Sequence, residues 1–306
     1  MMAWPGCRGS RAEWSIVSSR SQKRHSVADR RTAGMDPDSY LARLGLDPDE
    51  AWPPTRETLA RLQSAHVTTV PFETLSITGP PGAPADGEGV TLSVPALYEK
   101  LVERERGGFC YELNGLFGWL LAELGFEVDR IAAAVLGDDG DPRPPANHHA
   151  LRVTFAEPSL VDVGLGLPKL REPVPIGGRA GPAAAGVEWA TVASDRPDAD
   201  YVARCRERGG APPGDADGWG EWADRYLFTT TPRELDYFEA TCDYLTSAPE
   251  SPFTGEPSVN VGTERGYKRL TADSLVEVVD GEERERDVEP DEWTDVLGAE
   301  FGLSYG

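Results

Sequence analysis

Three polar side chains in the middle of the chain have the types and the order needed for chemistry at a cysteine. Cys110 stands in a stretch that reads RGGFCYELN, and the pair His148 and His149 and then Asp162 follow it. A cysteine nucleophile needs a base to take its proton, and the base needs a carboxylate to orient its ring. The sequence therefore predicts a Cys-His-Asp triad.

Cys110 is predicted to lie in the first turn of a helix. The residues after it repeat with the spacing of one buried helical face, and Gly125 follows as a C-terminal cap. These apolar positions are Leu113, Leu116, Phe117, Leu120, Leu121 and Leu124. Free N–H groups and the helix dipole favour a thiolate at this place. A buried cysteine on such a face is also a common inert packing residue, so its partners must decide between the two interpretations.

The partners lie on two predicted strands. Residues 147–153 and 160–166 are apolar or alternating runs, joined across residues 156–159 as a hairpin. Asp162 stands in an apolar run and needs a polar partner, because an unpaired buried carboxylate is costly. A histidine N–H from the neighbouring strand is one such partner. Alternation along that strand puts His148 and His149 on opposite faces.

The stretch 106–114 resembles the RGGxCxELN signature of the arylamine N-acetyltransferases. Residues 40–46, 58–75, 246–253 and 300–303 are similar to further segments of that family in the same order, so the resemblance runs from about residue 36 to the end. It implies acetyl transfer from acetyl-CoA to an arylamine or a hydrazine through a ping-pong mechanism. Cys110 matches the acetyl-accepting cysteine and Asp162 the triad acid. The family's spacing selects His148 as the base and leaves His149 as a packed residue.

The resemblance also implies supporting residues and a fold. Arg106 is expected to form an ion pair with Glu73, and Asn114 is expected to support the site. The implied fold is α+β, with an N-terminal helical bundle, a central β-barrel-like domain and a C-terminal α/β lid around a cysteine-protease-like catalytic core. We expect these domains at residues 36–125, 126–225 and 226–306, with the nucleophile on the first and His148 and Asp162 on the second.

Other functions remain open at this point. A thiol hydrolase, or an amide synthase with another acyl donor, uses the same triad. A third interpretation is a binding protein that keeps Cys110 and Asp162 as relics. The presence of Cys, His and Asp together argues against it. The sequence assigns no residues to CoA, and residues 164–166 are expected to let a substrate or the CoA arm pass close to Asp162. No cysteine pair has zinc-like spacing, so no metal site is predicted.

Composition indicates the surroundings of the protein. The 306 residues carry a formal charge of −22 with only four lysines, which argues against nucleic acid as a partner. Scarce Lys beside abundant Asp and Glu favours adaptation to molar salt, as in a haloarchaeal cytosol. No run of eighteen apolar residues predicts a membrane span. Four cysteines in a chain of this length suit a reducing cytoplasm.

Two parts of the chain do not follow these patterns. Residues 1–34 hold seven basic residues against two acidic ones and contain no apolar signal region, so we expect a disordered tail or a start codon assigned too early. Residues 180–220 are rich in Ala, Gly, Pro and Asp, and we expect loops and irregular strands there. Pro232 is expected near the first turn of a helix.

Overall fold

The architecture is α+β, with most helices in the first half of the chain and two antiparallel sheets after them. It is known from a computed structural model that describes residues 34–82, 87–137, 139–180, 185–208 and 218–305. Residues 1–33 of the predicted tail lie outside the described residues. Residues 36–306 group together as one compact unit.

The described part of the chain contains seven α-helices, and the cysteine lies at the start of the fifth. They are α1 (Pro37–Arg43), α2 (Arg56–Thr69), α3 (Leu75–Thr78), α4 (Val94–Tyr98), α5 (Cys110–Glu123), α6 (Glu239–Ser247) and α7 (Trp293–Phe301). A π-helical turn, Glu99–Glu103, continues α4, and a 3-10 turn, Leu235–Phe238, precedes α6. Of the helices that the structure describes, none is long and apolar enough to cross a bilayer.

Twelve strands of the described residues form two sheets. They are β1 (Phe72–Glu73), β2 (Val128–Val135), β3 (His148–Val153), β4 (Ser159–Val161), β5 (Val174–Pro175), β6 (Val187–Ala193), β7 (Tyr201–Glu207), β8 (Ala223–Arg233), β9 (Val259–Thr263), β10 (Gly266–Leu270), β11 (Ser274–Val279) and β12 (Glu282–Asp287). The larger sheet has the order β5-β4-β3-β2-β8-β7-β6 and the smaller one β1-β9-β10-β11-β12.

The larger sheet curls until its two edges meet. The Thr191 N–H on β6 donates to the Gly178 carbonyl at 2.9 Å. The Thr191 hydroxyl donates to the Pro175 carbonyl at 3.0 Å and accepts the Gly177 N–H at 2.7 Å. This closure gives a nearly closed barrel, as expected from the sequence. Its interior is filled by buried side chains that include Ile131, Ala150, Leu160, Trp189, Ala203, Cys205, Tyr226 and Phe228.

The smaller sheet joins the helical half of the chain to its C-terminal part. β1, from the helical half, pairs with β9, and α7 packs its apolar face on the sheet. Asp280 and Gly281 connect β11 to β12 with φ values of 52° and 83°, the conformation of a tight hairpin turn that an Asp-Gly pair favours. The predicted domain boundary between residues 225 and 226 falls inside β8. The three-domain division remains a prediction.

Two expectations about secondary structure were wrong. Within residues 180–220, β6 and β7 are regular paired strands, because Trp189 and Cys205 point into the barrel while Arg206 and Glu188 pair at 2.6 Å on the other face. Charged residues at alternate positions concealed this pattern. Pro232 ends a strand rather than starting a helix. It faces Ile131 beside a register shift, where a sheet tolerates a residue without an N–H.

Removing the Thr191 hydroxyl should open the barrel seam. In Thr191→Val, the Gly177 N–H and the Pro175 carbonyl lose a buried partner, so the free energy of unfolding should fall by about 1–3 kcal/mol. Thr229→Val on β8 is the matched control, because that buried hydroxyl has no partner among the described residues. Urea unfolding measures both. An equal loss of unfolding free energy in the two variants would contradict the role of the Thr191 hydroxyl in closing the barrel.

Candidate active site

The cysteine is the first residue of α5. Phe109 before it has an extended backbone, and its N–H donates to Glu112 Oε2 at 3.0 Å, which fixes the start of the helix. The Cys110 side chain lies in a buried environment on the wall of a cleft. The predicted helix start and the position of Cys110 on it are therefore present in the structure.

Glu112 is held by a lysine that sequence reasoning missed. Lys100 Nζ donates to both Glu112 oxygens, at 2.7 and 2.8 Å, and lies 3.2 Å from Glu73 Oε1. Burial alone would lower the pKa of Lys100, but the carboxylates of Glu112 and Glu73 raise it overall. The ammonium and these carboxylates therefore form a buried ionic cluster beneath the first turn of α5. The only feature of the sequence that set Lys100 apart was that the chain has four lysines.

The expected ion pair between Arg106 and Glu73 is wrong. Arg106 Nη1 pairs with Glu88 Oε1 at 3.3 Å, and its guanidinium lies over the ring of Tyr305. Glu73 takes Lys100 as its cation instead. Lys100 lies on the neighbouring π-helical turn, and its side chain reaches the carboxylates of both Glu73 and Glu112. No local sequence pattern predicts this contact.

Asp162 is the most heavily hydrogen-bonded side chain of the site. His148 Nε2–H donates to its Oδ2 at 2.7 Å. Its Oδ1 accepts the Asn114 amide at 2.8 Å and the N–H groups of Gly164 and Leu165 at 2.9 and 3.0 Å. Burial by itself raises the pKa of this carboxyl, but these partners lower it overall. Asp162 is therefore a carboxylate in the interior of the protein.

Asn114 ties the cysteine helix to the strands. Its amide also donates to the His149 carbonyl at 2.7 Å, and its Oδ1 accepts the Val163 N–H at 2.9 Å. Asn114 lies one turn after Cys110 on α5. Three hydrogen bonds of Asn114 therefore fix the position of the thiol's helix relative to β3 and to the turn after β4.

The two neighbouring histidines have different surroundings, as strand alternation predicted. His148 packs on Tyr226 at a ring distance of 5.3 Å and lines the cleft. His149 lies between Phe238 and Tyr111 and donates from Nε2 to the Tyr111 carbonyl at 3.1 Å. Burial, helped by the charge of Arg130, lowers the pKa of His149 to about 3. His149 is consequently a neutral, packed side chain.

The helix start does not by itself produce a thiolate. Burial raises the pKa of the Cys110 thiol, and the negative charge of Asp162 adds to this, while the Tyr111 N–H opposes it. The stabilisation expected from the helix dipole is therefore outweighed by desolvation. A base that shares the cleft is needed to take the proton, and among the described side chains of the cleft wall His148 is an imidazole whose ring is oriented by a carboxylate.

The cleft is built from separate parts of the chain. It has a volume of about 840 Å³ and brings Cys110 and His148 together with Phe72, Gly166 and Arg225. Residues 251–253, part of the segment that resembled a region near the family's cleft, form one wall. Within the described residues, no cluster of three or more His, Cys, Asp or Glu side chains is arranged to hold a metal ion.

Known proteins are similar to this chain in sequence and in fold. A family model described as N-acetyltransferase matches residues 55–306. The arylamine N-acetyltransferase of Mycolicibacterium smegmatis is 35% identical over 247 residues, covering 79% of this chain and 82% of the relative. The chain belongs to the arylamine N-acetyltransferase family. It is thus an acyltransferase.

A further relative and a solved structure agree with this family membership. The arylamine N-acetyltransferase of Mycobacterium tuberculosis is 33% identical over 277 residues, covering 88% of this chain and 90% of the relative. The structure of the Mycobacterium abscessus arylamine N-acetyltransferase aligns with a TM-score of 0.75 at 30% identity, covering 90% of this chain and 92% of that one. The N-acetyltransferase fold therefore extends over nearly all of the chain.

The two glycines after Asp162 differ in what surrounds them. A Cβ on Gly164 would lie 2.7 Å from the Cys110 carbonyl oxygen and 2.7 Å from Asn114 Nδ2, whereas a Cβ on Gly166 would meet nothing within 4 Å. Gly164 thus lets the turn pack directly against α5, a different purpose from the substrate passage that the sequence suggested. Gly166 has free space in the cleft.

Gly164→Ala should therefore disturb the site, and Gly166→Ala is its matched control. The added methyl group at position 164 must displace α5 or the turn, and we expect a loss of about 1–3 kcal/mol in the free energy of unfolding. Gly166→Ala should leave it within about 0.5 kcal/mol. Thermal unfolding of both variants tests this, and equal stabilities would show that the close contact is absent.

Proposed function

We propose that this enzyme transfers an acetyl group from acetyl-CoA to an arylamine or a hydrazine through an acetyl-cysteine on Cys110. The observation that carries the proposal is the hydrogen bond between His148 Nε2 and Asp162 Oδ2, on the wall of the cleft that also holds Cys110. Cys110 is the nucleophile, His148 the base and Asp162 the residue that orients it. The nucleophile at a helix start, facing a barrel that carries His and Asp, is the cysteine-protease-like core that we propose.

In the first step, His148 takes the thiol proton. Because Nε2 is engaged with Asp162, Nδ1 is the nitrogen that serves Cys110. The thiolate attacks the thioester carbonyl, and collapse of the tetrahedral adduct breaks the bond to the CoA sulfur. The imidazolium returns its proton to the CoA thiolate. The products are acetyl-Cys110, CoA and neutral His148.

In the second step, an amine attacks the acetyl-cysteine. An arylamine is weakly basic and so remains neutral and nucleophilic at neutral pH. His148 takes the proton that the attacking nitrogen loses, and the Cys110 thiolate leaves and is reprotonated. The oxyanion of both adducts is assigned to free backbone N–H groups in the first turn of α5, which have no intrahelical acceptor.

The charges along the cleft suit a polyanionic acyl donor. Arg143, Arg225 and Arg269 come from three different elements and line the cleft, although the whole chain carries −22. Arg225 is positioned by its Nη2 bond to the Leu167 carbonyl at 2.8 Å. Guanidinium groups bind phosphates through paired N–H donors, and CoA carries several phosphates. These arginines support acetyl-CoA as the donor.

Cysteine content and charge support a reducing cytoplasm of high salt as the cellular setting. Cys110, Cys205 and Cys242 are free thiols, which a reducing cytoplasm preserves. The acidic, lysine-poor composition supports work in molar salt. We therefore place the proposed reaction in a cytoplasm of high ionic strength. A hydrolase or an amide synthase is not favoured by the relatives that the chain resembles.

Intact-mass spectrometry of the full chain in molar KCl tests the proposal. Brief exposure to acetyl-CoA without an acceptor should add a single acetyl group, which an arylamine or a hydrazide then removes as its amide. Cys110→Ala should take up none, because the nucleophile is lost. Cys205→Ala is the matched control, since this buried barrel cysteine lies away from the cleft, and it should be acetylated like the wild type.

Two results would contradict the proposal. A folded wild-type chain that takes up no acetyl group would exclude acetyl-CoA as its donor. An acetyl group that water removes as fast as an amine does would identify a hydrolase.

A further inference from the structure

Lys169 is a buried amine beside the active site. Its exposed fraction is 4%, and Nζ donates to the Leu165 carbonyl at 3.3 Å. Its backbone is fixed in the barrel wall, because the Lys169 carbonyl accepts the Trp189 indole N–H at 3.2 Å. Among the described residues, no carboxylate oxygen lies within the 4.0 Å of an ion pair with this amine.

Lys100, which is also buried, differs from Lys169 in having carboxylate partners. Lys100 is equally buried but contacts the carboxylates of Glu112 and Glu73. An ammonium without such a partner is costly in the interior, and an apolar side chain of similar length would fill the same space at lower cost. The chain has only four lysines, so a general abundance of the residue does not explain Lys169.

The amine and the triad acid share one turn. The Leu165 carbonyl holds Lys169 Nζ, while the Leu165 N–H donates to Asp162 Oδ1 at 3.0 Å. On its other side, Nζ lies 5.6 Å from the centre of the Phe72 ring, and Phe72 lines the cleft with Cys110. The charge of Lys169 therefore lies next to residues of the cleft wall, although Lys169 does not itself line the cleft.

The triad carries one net negative charge throughout the proposed mechanism. The thiol and the imidazole are neutral beside the Asp162 carboxylate at the start, and the sum is unchanged when the Cys110 proton has moved to His148. The transfer creates a second anion, the thiolate, whose formation burial disfavours. A buried ammonium nearby neutralises the sum and stabilises the thiolate by attraction.

Other charged groups around Lys169 do not supply this charge. His66 on α2 is neutral, because burial and the neighbouring cations lower its pKa to about 3. The Arg171 guanidinium is turned to the smaller sheet, where it donates to the carbonyls of Thr263 and Gly266. Asp162 is the acid whose charge acts on the amine.

We propose that Lys169 is a positioning residue of the acetyl-transfer site: its ammonium holds the Leu165 carbonyl and balances the negative charge of Asp162 and the Cys110 thiolate. The inference rests on the proposed function, because it concerns the charges of that triad. Lys169 itself does not exchange a proton with the substrate.

The titration of Lys169 is consistent with this role. Burial lowers the pKa of its amine to about 7, although Asp162 opposes the change. The ammonium is present below this pH and is lost as the pH rises through it. The Cys110 thiol gains a negative charge as the pH rises, whereas the amine loses its positive one. The ammonium and the thiolate attract each other, so loss of the ammonium should make the thiolate harder to form.

The test is the rate of Cys110 alkylation by iodoacetamide at pH 6, where the Lys169 ammonium is present, and at pH 9, where it is lost, followed by mass at the Cys110 peptide. Lys169→Met removes the charge, so its rate at pH 6 should be about three- to tenfold below that of the wild type, while the two rates should agree at pH 9. Lys169→Gln keeps a donor for the Leu165 carbonyl without a charge, and it should show the same loss at pH 6. With acetyl-CoA, kcat should fall severalfold in both variants while KM changes little.

Stability separates this role from a structural one. Lys169→Met replaces a buried charge with an apolar chain, so its free energy of unfolding should stay equal or increase. Lys268→Met is the matched control, because Lys268 on β10 is half-buried and paired with Glu300 at 2.6 Å, away from the cleft. Cys110 in Lys268→Met should be alkylated at the wild-type rate at pH 6.

The contradicting results are distinct for the two proposals. Folded Lys169 variants with the wild-type alkylation rate at pH 6 and the wild-type kcat would overturn the role of Lys169 and leave acetyl transfer standing. A wild-type chain in which Cys110 takes up no acetyl group would instead overturn the proposed function.

Discussion

The site depends on keeping one carboxylate charged inside the protein. Asp162 is buried, and its ionised form is retained because the imidazole of His148, the amide of Asn114 and two backbone N–H groups all donate to it. These donors belong to β3, to α5 and to the turn after β4. The carboxylate is therefore satisfied only when the helix and the barrel are docked in one arrangement, so its hydrogen bonds specify the geometry of the cleft.

Several features of the fold serve this docking. Gly164 allows backbone contact between the turn and α5, and Asn114 bonds to both strand regions. Beneath the helix start, Lys100 holds Glu112, which in turn caps the Phe109 N–H. Each contact uses a buried polar group that would be costly without its partner. Together they hold the thiol and the imidazole on the wall of one cleft.

The sequence predicted those parts of the structure that local pattern determines. The helix that begins at Cys110 and the opposite faces of His148 and His149 follow from periodicity. The hairpin of β3 and β4 follows from its turn residues, but its second strand was expected to reach residue 166 and ends at Val161. The α+β class and the family came from the signature around Cys110.

Partners distant in sequence were harder to predict. Glu73 pairs with Lys100 rather than Arg106, because the choice among buried cations depends on how a π-helical turn approaches β1. The strands β6 and β7 were missed, since their outward faces carry charged residues that pair across the sheet. The burial of Lys169 has no signal in the sequence, as it results from the closure of the barrel against α2 and β1.

The central claim is that His148, and not its neighbour, serves the nucleophile. Single-turnover acetylation of Cys110 in His148→Gln and His149→Gln tests it most directly, with folding checked by circular dichroism. The rate should fall about 100- to 10,000-fold in the first variant and less than about tenfold in the second. A folded His148→Gln chain that is acetylated at the wild-type rate, or a loss confined to His149→Gln, would contradict this account of the site.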